Sequence, residues 1–239
     1  MKQKSPVLVN DLVNTVRFKY IRLLSSLLEL MFDTNKKILV ATTNPGKIAE
    51  LRAMLDLDIE WLGLSDFGDI DEIQEDGITF AENARKKAAG YAKAAGLWTI
   101  ADDSGLVVDT LDGAPGVKSA RFSGEKIKGD DRTLIDHRNI TRVLELLKGL
   151  PEEKRTATFV CCLCLASPER ILVETKGALE GLITNKEIGK NGFGYDPIFF
   201  VPHLNKTVAQ LIAEEKNAIS HRGNAIRKLK PLLEELLCG

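Results

Sequence analysis

The 239-residue chain has an ordinary globular composition, with 44% hydrophobic residues and a formal net charge of −1 at pH 7. Its 33 basic and 34 acidic side chains leave no basic excess, which argues against a general nucleic-acid binder. No stretch reaches the roughly 18 uninterrupted apolar residues that a membrane-spanning helix needs. We therefore expect a cytoplasmic protein that binds neither membrane nor nucleic acid, with one domain or two small ones.

Residues 1–35 differ in pattern from the rest of the chain. Apolar side chains recur at helical spacing from Val13 onward, which is typical of an amphipathic helix. The segment could equally be a mis-set translation start, because Met31 stands just ahead of the first clear strand. We assign residues 1–35 as an N-terminal extension and residues 36–239 as a single domain.

Strand and helix patterns alternate along the rest of the chain. The predicted strands cover residues 38–41, 98–101, 106–111, 156–166, 170–179 and 198–201. The predicted helices cover residues 46–55, 80–95, 132–150, 208–215 and 221–237. An alanine-rich face marks the helix over residues 80–95, and Gly96 should end it. This order predicts an α/β fold in which helices flank a mixed central sheet.

The chain has four cysteines, three of which fall in one apolar run. They are Cys161, Cys162, Cys164 and Cys238. Their spacing completes no zinc pattern with a histidine or another cysteine pair. We expect buried or half-buried thiols in a reducing compartment.

The first candidate site is the loop between the first strand and the first helix. Its sequence is Thr42-Thr43-Asn44-Pro45-Gly46-Lys47. Free amides at a helix start attract anions, and Lys47 adds a full positive charge. Gly46 would let the backbone approach a ligand closely. Since the loop lacks the spacing of a Walker A motif, an ordinary strand-to-helix turn remains an alternative.

Carboxylates form the second candidate site. Asp102 and Asp103 follow the predicted strand that ends at Ala101, and a metal ion would relieve their mutual repulsion. Glu75, in the loop before the alanine-rich helix, offers a third oxygen ligand. Mg²⁺ prefers a few carboxylates together with phosphate oxygens and waters. The alternative is that Asp103 caps the turn that follows it.

A glycine-flanked aromatic segment, Gly192–Pro197, is the third candidate site. Its glycines allow the backbone to approach a ligand, and its rings can stack on a base. Asp196 could accept a hydrogen bond from a ring N–H. A tight turn whose aromatic rings fill the core is the alternative.

The start of the last helix is the fourth candidate site. Ser220 can cap that helix, and His221 and Arg222 follow it directly. Histidine and arginine at a helix start are usually solvated. The preceding polar run, residues 214–216, is typical of a solvated helix face.

In their order and spacing these segments resemble the inosine triphosphate pyrophosphatase family, also called the Ham1-like family. The similarity runs from Lys37 to near the C-terminus. Its most specific strings are Ala101–Gly124, Gly192–Phe200 and Ser220–Gly223. The resemblance implies an elongated fold with two lobes and a cleft between them, and a homodimer. It also implies Mg²⁺-dependent hydrolysis of ITP, XTP and dITP to the monophosphate and pyrophosphate.

The same resemblance implies a role for each matching residue. Residues 42–47 would bind the triphosphate, and Glu75 and Asp103 would hold Mg²⁺. Asp103 would also accept a proton. The remaining residues expected to line the nucleotide site are Ser104, Phe193, Gly194, Tyr195, Asp196, Lys216, His221 and Arg222. The N-terminal extension departs from the family pattern, in which the first strand lies close to the chain start.

Two other functions are compatible with parts of this pattern. One is a Maf-like nucleotide pyrophosphatase with a different base preference, against which the strings at residues 192–196 and 220–222 argue. The other is a nucleotide sensor without catalytic activity. A sensor would not need the acidic residues Glu75, Asp102 and Asp103, all of which are present.

Overall fold

A computed structural model of the chain describes residues 37–68, 70–124 and 131–238. The predicted N-terminal extension, residues 1–35, lies outside this part. The strands are β1 (Lys37–Val40), β2 (Glu60–Gly63), β3 (Trp98–Val108), β4 (Thr156–Ala166), β5 (Ile171–Ile183), β6 (Phe199–Val201) and β7 (Lys206–Thr207). They form one sheet in the order β2-β1-β3-β4-β5-β6-β7. β1 is parallel to β2 and β3, and the other neighbouring strands are antiparallel.

The α-helices of the described part pack on this sheet. They are α1 (Pro45–Leu55), α2 (Phe80–Ala95), α3 (Arg132–Leu146), α4 (Ala213–Ile219) and α5 (His221–Cys238). The predicted mixed sheet with flanking helices is confirmed. Gly96 ends α2 in the left-handed conformation, at φ +68°, as its position in the sequence predicts. No helix within residues 37–68, 70–124 and 131–238 is long and apolar enough to cross a bilayer.

Alternate residues of β3 face two different helix layers. Ile100 lies in a core cluster with residues of α1 and α5, whereas Ala101 lies in a cluster with residues of α2. This alternation is the period-2 geometry of a strand. Farther along β3, Leu106 belongs to a third cluster that includes residues of α3. Residues 102–105 therefore lie between the main core clusters.

The structure corrects the prediction for the acidic segment. Residues 98–101 and 106–111 do not form two strands, because β3 runs unbroken from Trp98 to Val108. Asp102 and Asp103 pair across the ladder with Leu163 and Cys162 of β4. They neither end a strand nor cap a turn. Two adjacent carboxylates are typical of a loop, and the partners that neutralise them, Lys47, Arg222 and Lys87, are distant in the chain.

Two helix predictions also differ from the structure, and one strand was not predicted. The helix predicted at residues 208–215 is wrong: β7, a single 3-10 turn at Val208–Gln210 and α4 occupy this region. The helix predicted at residues 132–150 ends at Leu146. β2 was not predicted, because four residues of an edge strand give too short a pattern. The last helix continues through Pro231.

The prediction of buried thiols is confirmed for the cysteines of β4. Cys161, Cys162 and Cys164 are buried, Cys238 is exposed, and all four thiols are free. Burial in the sheet raises the pKa of each of the three β4 thiols.

Candidate active site

A cavity of about 210 Å³ at the middle of β3 brings most of the predicted site residues together. Those that line it are Thr42, Thr43, Asn44, Lys47, Glu75, Asp103, Ser104, Phe193, Gly194, Tyr195, Asp196, Lys216, His221 and Arg222. Pro45 lines an adjoining cavity of about 860 Å³. The carboxylates and the lysine-bearing loop thus share one cavity, although they are far apart in the sequence.

In the loop before α1, two backbone amides that were predicted to be free are hydrogen-bonded. The Asn44 side chain caps α1, and its Oδ1 atom accepts hydrogen bonds from the amides of Gly46 at 3.0 Å and Lys47 at 3.4 Å. These two amides are therefore not free, and the prediction that they are was wrong. The Asn44 Nδ2 atom is buried and has no hydrogen-bond partner among the described residues.

Gly46 also serves a different purpose from the predicted one. A Cβ atom on Gly46 would lie 2.6 Å from the Phe193 ring. The glycine is needed because the ring packs against the start of α1. The glycine lets the backbone at the start of α1 contact the Phe193 ring, and this contact connects the loop at residues 42–47 to the aromatic segment.

Asp102 is a fully buried anion that is held by cations. Its carboxylate forms an ion pair with Lys47 and accepts a 2.7 Å hydrogen bond from Nε of Arg222. The Ser104 hydroxyl and the Cys161 thiol also donate to it, at 2.6 and 3.3 Å. Burial alone would raise the pKa of Asp102, but Arg222 and Lys47 hold it well below the usual range. All these partners leave no reason for a metal ion to offset its charge.

Asp103 points to the opposite face of the sheet, toward α2. Its Oδ1 atom lies 3.4 Å from Nζ of Lys87, which also pairs with Glu75 at 2.9 Å. The Asp103 Oδ2 atom is buried without a hydrogen-bond partner among the described residues. Burial raises the pKa of Asp103, although Lys87 and Lys47 oppose that shift. Glu75 and Asp103 thus both contact Lys87, and the Oδ2 atom of Asp103 is left without a partner among the described residues.

Two buried cations line the other end of the cavity. Glu50 of α1 bridges them, since it pairs with Lys216 at 2.9 Å and with Arg222. Lys216 also lies 2.6 Å from the Asp196 carboxylate. Burial opposes the charged form of Lys216, but Asp196 and Glu50 raise its pKa. The alternative that residues 214–216 form a solvated face does not hold for Lys216, which is 6% exposed and lines the cavity.

The aromatic segment forms a wall of the cavity. The Lys216 ammonium lies 4.5 Å from the centroid of the Phe193 ring, and the Arg222 guanidinium lies 5.5 Å from it. The Tyr195 hydroxyl donates to the Ser119 carbonyl at 2.8 Å, so this ring is anchored in the core. Asp196 pairs with Lys216 in this structure and also accepts from the Phe193 amide at 2.9 Å.

His221 is a buried, neutral residue at the start of α5. Its ring stacks on Phe159, with centroids 4.8 Å apart. Burial, together with the charge of Arg222, holds the pKa of His221 well below the usual range. The Nδ1 atom is buried with no hydrogen-bond partner in the described part of the chain. Ser220 caps α5 as predicted, and its hydroxyl accepts from the Gly223 amide at 3.0 Å.

Sequence reasoning missed Lys87 and Glu50. A signal for Lys87 was available, because it falls in the helical stripe of Ala84, Ala88 and Tyr91 that packs against the sheet. A lysine within a buried stripe needs a partner. Glu50 had a weaker signal, since its position three residues after Lys47 places it near the same side of α1.

Comparison with known proteins identifies the class to which this fold and site belong. The family model described as the Ham1 family matches residues 38–232, so the chain belongs to the Ham1 family. A dITP/XTP pyrophosphatase of Geobacter sulfurreducens is 48% identical over 195 residues, which cover 81% of this chain and 94% of the relative. A dITP/XTP pyrophosphatase of Exiguobacterium sp. is 50% identical over 195 residues, 81% of this chain and 95% of the relative.

Solved structures agree with this assignment. The Ham1 protein of Staphylococcus aureus superimposes with a TM-score of 0.72 at 41% identity, covering 83% of this chain and 98% of that protein. A Ham1 protein from Coxiella burnetii superimposes with a TM-score of 0.73, also at 41% identity, with the same coverage. The predicted family and α/β fold are confirmed.

Proposed function

We propose that the protein hydrolyses ITP, dITP and XTP to the nucleoside monophosphate and pyrophosphate, and so removes them from the nucleotide pool. The observation that carries this proposal is the shared cavity. One end holds Asp103 with an unpartnered carboxylate oxygen, and the other holds Phe193 beside Lys216 and Arg222. Family relatives named dITP/XTP pyrophosphatases support the same reaction.

We propose Mg²⁺ as the cofactor, and the residues present fit it. Within the described residues no group of three or more acidic, histidine or cysteine side chains is arranged to hold a metal ion. Mg²⁺ is commonly held by one or two carboxylates and completed by phosphate oxygens and waters. Glu75 and Asp103 would supply those carboxylates. When bound, Mg²⁺ supplies positive charge that stabilises the triphosphate and the leaving pyrophosphate.

The chain's own residues account for the rest of the reaction. Asp103 accepts a proton from the water that attacks the α-phosphorus, because it lines the cavity and its Oδ2 atom has no hydrogen-bond partner among the described residues. The positive charges of Lys47 and Lys87 offset the negative charge of the triphosphate. Positioning and charge stabilisation provide most of the rate in such transfers.

Base selection depends on donors near the start of α5. Hypoxanthine and xanthine carry an oxygen at position 6, where adenine carries an amino group. A donor that faces this position pairs with the oxygen and is left unpaired against adenine, at about 1–3 kcal/mol or roughly 10- to 150-fold. Arg222 already donates to Asp102, Glu50 and Ser104. We therefore assign this role to His221 and the first amides of α5.

The decisive test is hydrolysis of ITP with Mg²⁺ in ¹⁸O-labelled water, with ATP as the control substrate. We expect IMP and pyrophosphate, with the label in IMP because water attacks the α-phosphorus. ITP should exceed ATP in kcat/KM by at least ~10-fold. Equal efficiency on both purines would defeat the donor argument for base selection, and binding of ITP without turnover would favour the sensor. Sedimentation of the purified protein would test the homodimer that the family resemblance implies.

A further inference from the structure

The aromatic wall of the cavity is held by an acidic residue of another element. Two consecutive amides of this loop point to carboxylates. The Phe193 amide donates to Asp196, within the loop itself. The Gly194 amide donates at 2.7 Å to Oδ2 of Asp136, which belongs to α3. Gly194 has a φ of +60°, a left-handed conformation that glycine adopts readily.

Both oxygens of Asp136 are engaged. Oδ1 lies 3.0 Å from Nε of Arg132, one helical turn earlier in α3. Asp136 is 9% exposed and lines the cavity. A nearly buried carboxylate requires hydrogen bonds and a counter-charge, and these two contacts provide both. Asp136 thus joins α3 to the loop that carries Phe193.

The position of the Phe193 ring depends on this connection. The ring is in tight contact with Gly46 on one side and lies near Lys216 and Arg222. Because Gly194 directly follows Phe193, a shift of the Gly194 amide moves the ring relative to these cations. We propose that Asp136 is a positioning residue that fixes this wall of the cavity for a purine base. The choice of ligand rests on the proposed function.

The test compares substitutions of Asp136, within α3, and of Asp131, which caps the start of that helix. Asp136→Ala removes the acceptor for the Gly194 amide, whereas Asp136→Asn keeps an acceptor oxygen. Asp131→Ala is the matched control. Asp131 caps the same helix by accepting from the Leu134 amide at 2.8 Å, and it does not line the cavity.

We expect Asp136→Ala to raise the KM for ITP by roughly 10- to 100-fold, the scale of a hydrogen bond to a charged group. Its kcat should change by less than about threefold, since the wall does not act on the phosphates. Asp136→Asn should restore the KM to within a few fold of the unsubstituted protein. Asp131→Ala should leave the KM unchanged.

Hydrogen–deuterium exchange of the segment around Gly194 provides a readout that needs no activity. Exchange there should be faster in Asp136→Ala than in the unsubstituted protein or in Asp131→Ala. Unchanged exchange would overturn the positioning role, as would a KM effect that Asp131→Ala reproduces. If the unsubstituted protein did not hydrolyse ITP, the proposed function would fail, while the exchange result would still decide the role of Asp136.

Discussion

Asp102 and Asp103 are neighbours in the chain, yet their environments predict opposite effects when each is replaced by asparagine. Asp102→Asn removes the charge that Lys47 and Arg222 surround in the buried interior. Loss of one partner from a buried ion pair costs about 3–5 kcal/mol, because the remaining charges stay buried. For a domain of this size the melting temperature should fall by roughly 6–20 °C.

Asp103→Asn should not destabilise the fold. Lys87 keeps its ion pair with Glu75 at 2.9 Å and its hydrogen bond to the Asp102 carbonyl at 2.8 Å. Burial raises the pKa of Asp103, so its ionised form is favoured less in the folded than in the unfolded state. We expect unchanged or slightly higher stability, together with a loss of at least ~100-fold in ITP turnover.

The two carboxylates should also differ in their dependence on pH. The pKa of Asp102 is lowered by folding, so its stabilisation is present above about pH 3.9 and is lost as the pH falls through the folded pKa. The loss of unfolding free energy caused by Asp102→Asn should therefore become smaller at acid pH. Asp103 has a raised pKa, so its ionisation reduces stability as the pH rises through that value.

Urea unfolding of both variants with EDTA, at pH 7 and at a series of pH values from about 3.9 downward, measures these differences. Pyrophosphate release from ITP measures activity. The reasoning is refuted if Asp102→Asn is as stable as the unsubstituted protein at pH 7. It is also refuted if the folded Asp103→Asn variant keeps near-normal turnover.

Three further predictions, two of them with a control substitution, test the site and the structure that supports it. A Cβ atom on Gly177 would lie 2.1 Å from the His221 carbonyl, so Gly177→Ala should displace α5 and raise the KM for ITP at least ~10-fold. Gly181→Ala is the control: its Cβ atom would lie 2.4 Å from a β6 carbonyl, so it should lower stability without raising the KM for ITP. Equal effects of the two substitutions on the KM would contradict the role of Gly177 in placing α5. Arg155 donates to three backbone carbonyls, so Arg155→Met should lower the unfolding free energy by about 3 kcal/mol in urea titrations, and an unaltered midpoint would disprove this. His221→Leu should reduce the ITP-to-ATP ratio of kcat/KM by roughly 10- to 150-fold, whereas exposed His137→Leu should not; an unchanged ratio would remove His221 from base selection.

Local signals were sufficient to predict much of the fold. The limits of α2 followed from its alanine stripe and from Gly96, and the apolar run of β1 gave the first strand. These features depend on residues that are close in the chain. The order of the motifs likewise identified the family, because each string is short and local.

Features that depend on distant partners could not be predicted in the same way. Asp102 and Asp103 stay within β3 because Lys47, Arg222 and Lys87 reach them from three different helices. Their sequence alone has the pattern of a loop. Lys216 looks solvated in its short polar helix, and only the packing of that helix shows its buried pairs with Glu50 and Asp196.

The most direct test of the shared cavity is a crystal structure with Mn²⁺ and an ITP analogue that cannot be cleaved between the α- and β-phosphates. The account predicts an anomalous Mn²⁺ peak at Glu75 and Asp103, with the hypoxanthine ring against Phe193. A base bound outside this cavity, or a metal ion held by other carboxylates, would contradict it.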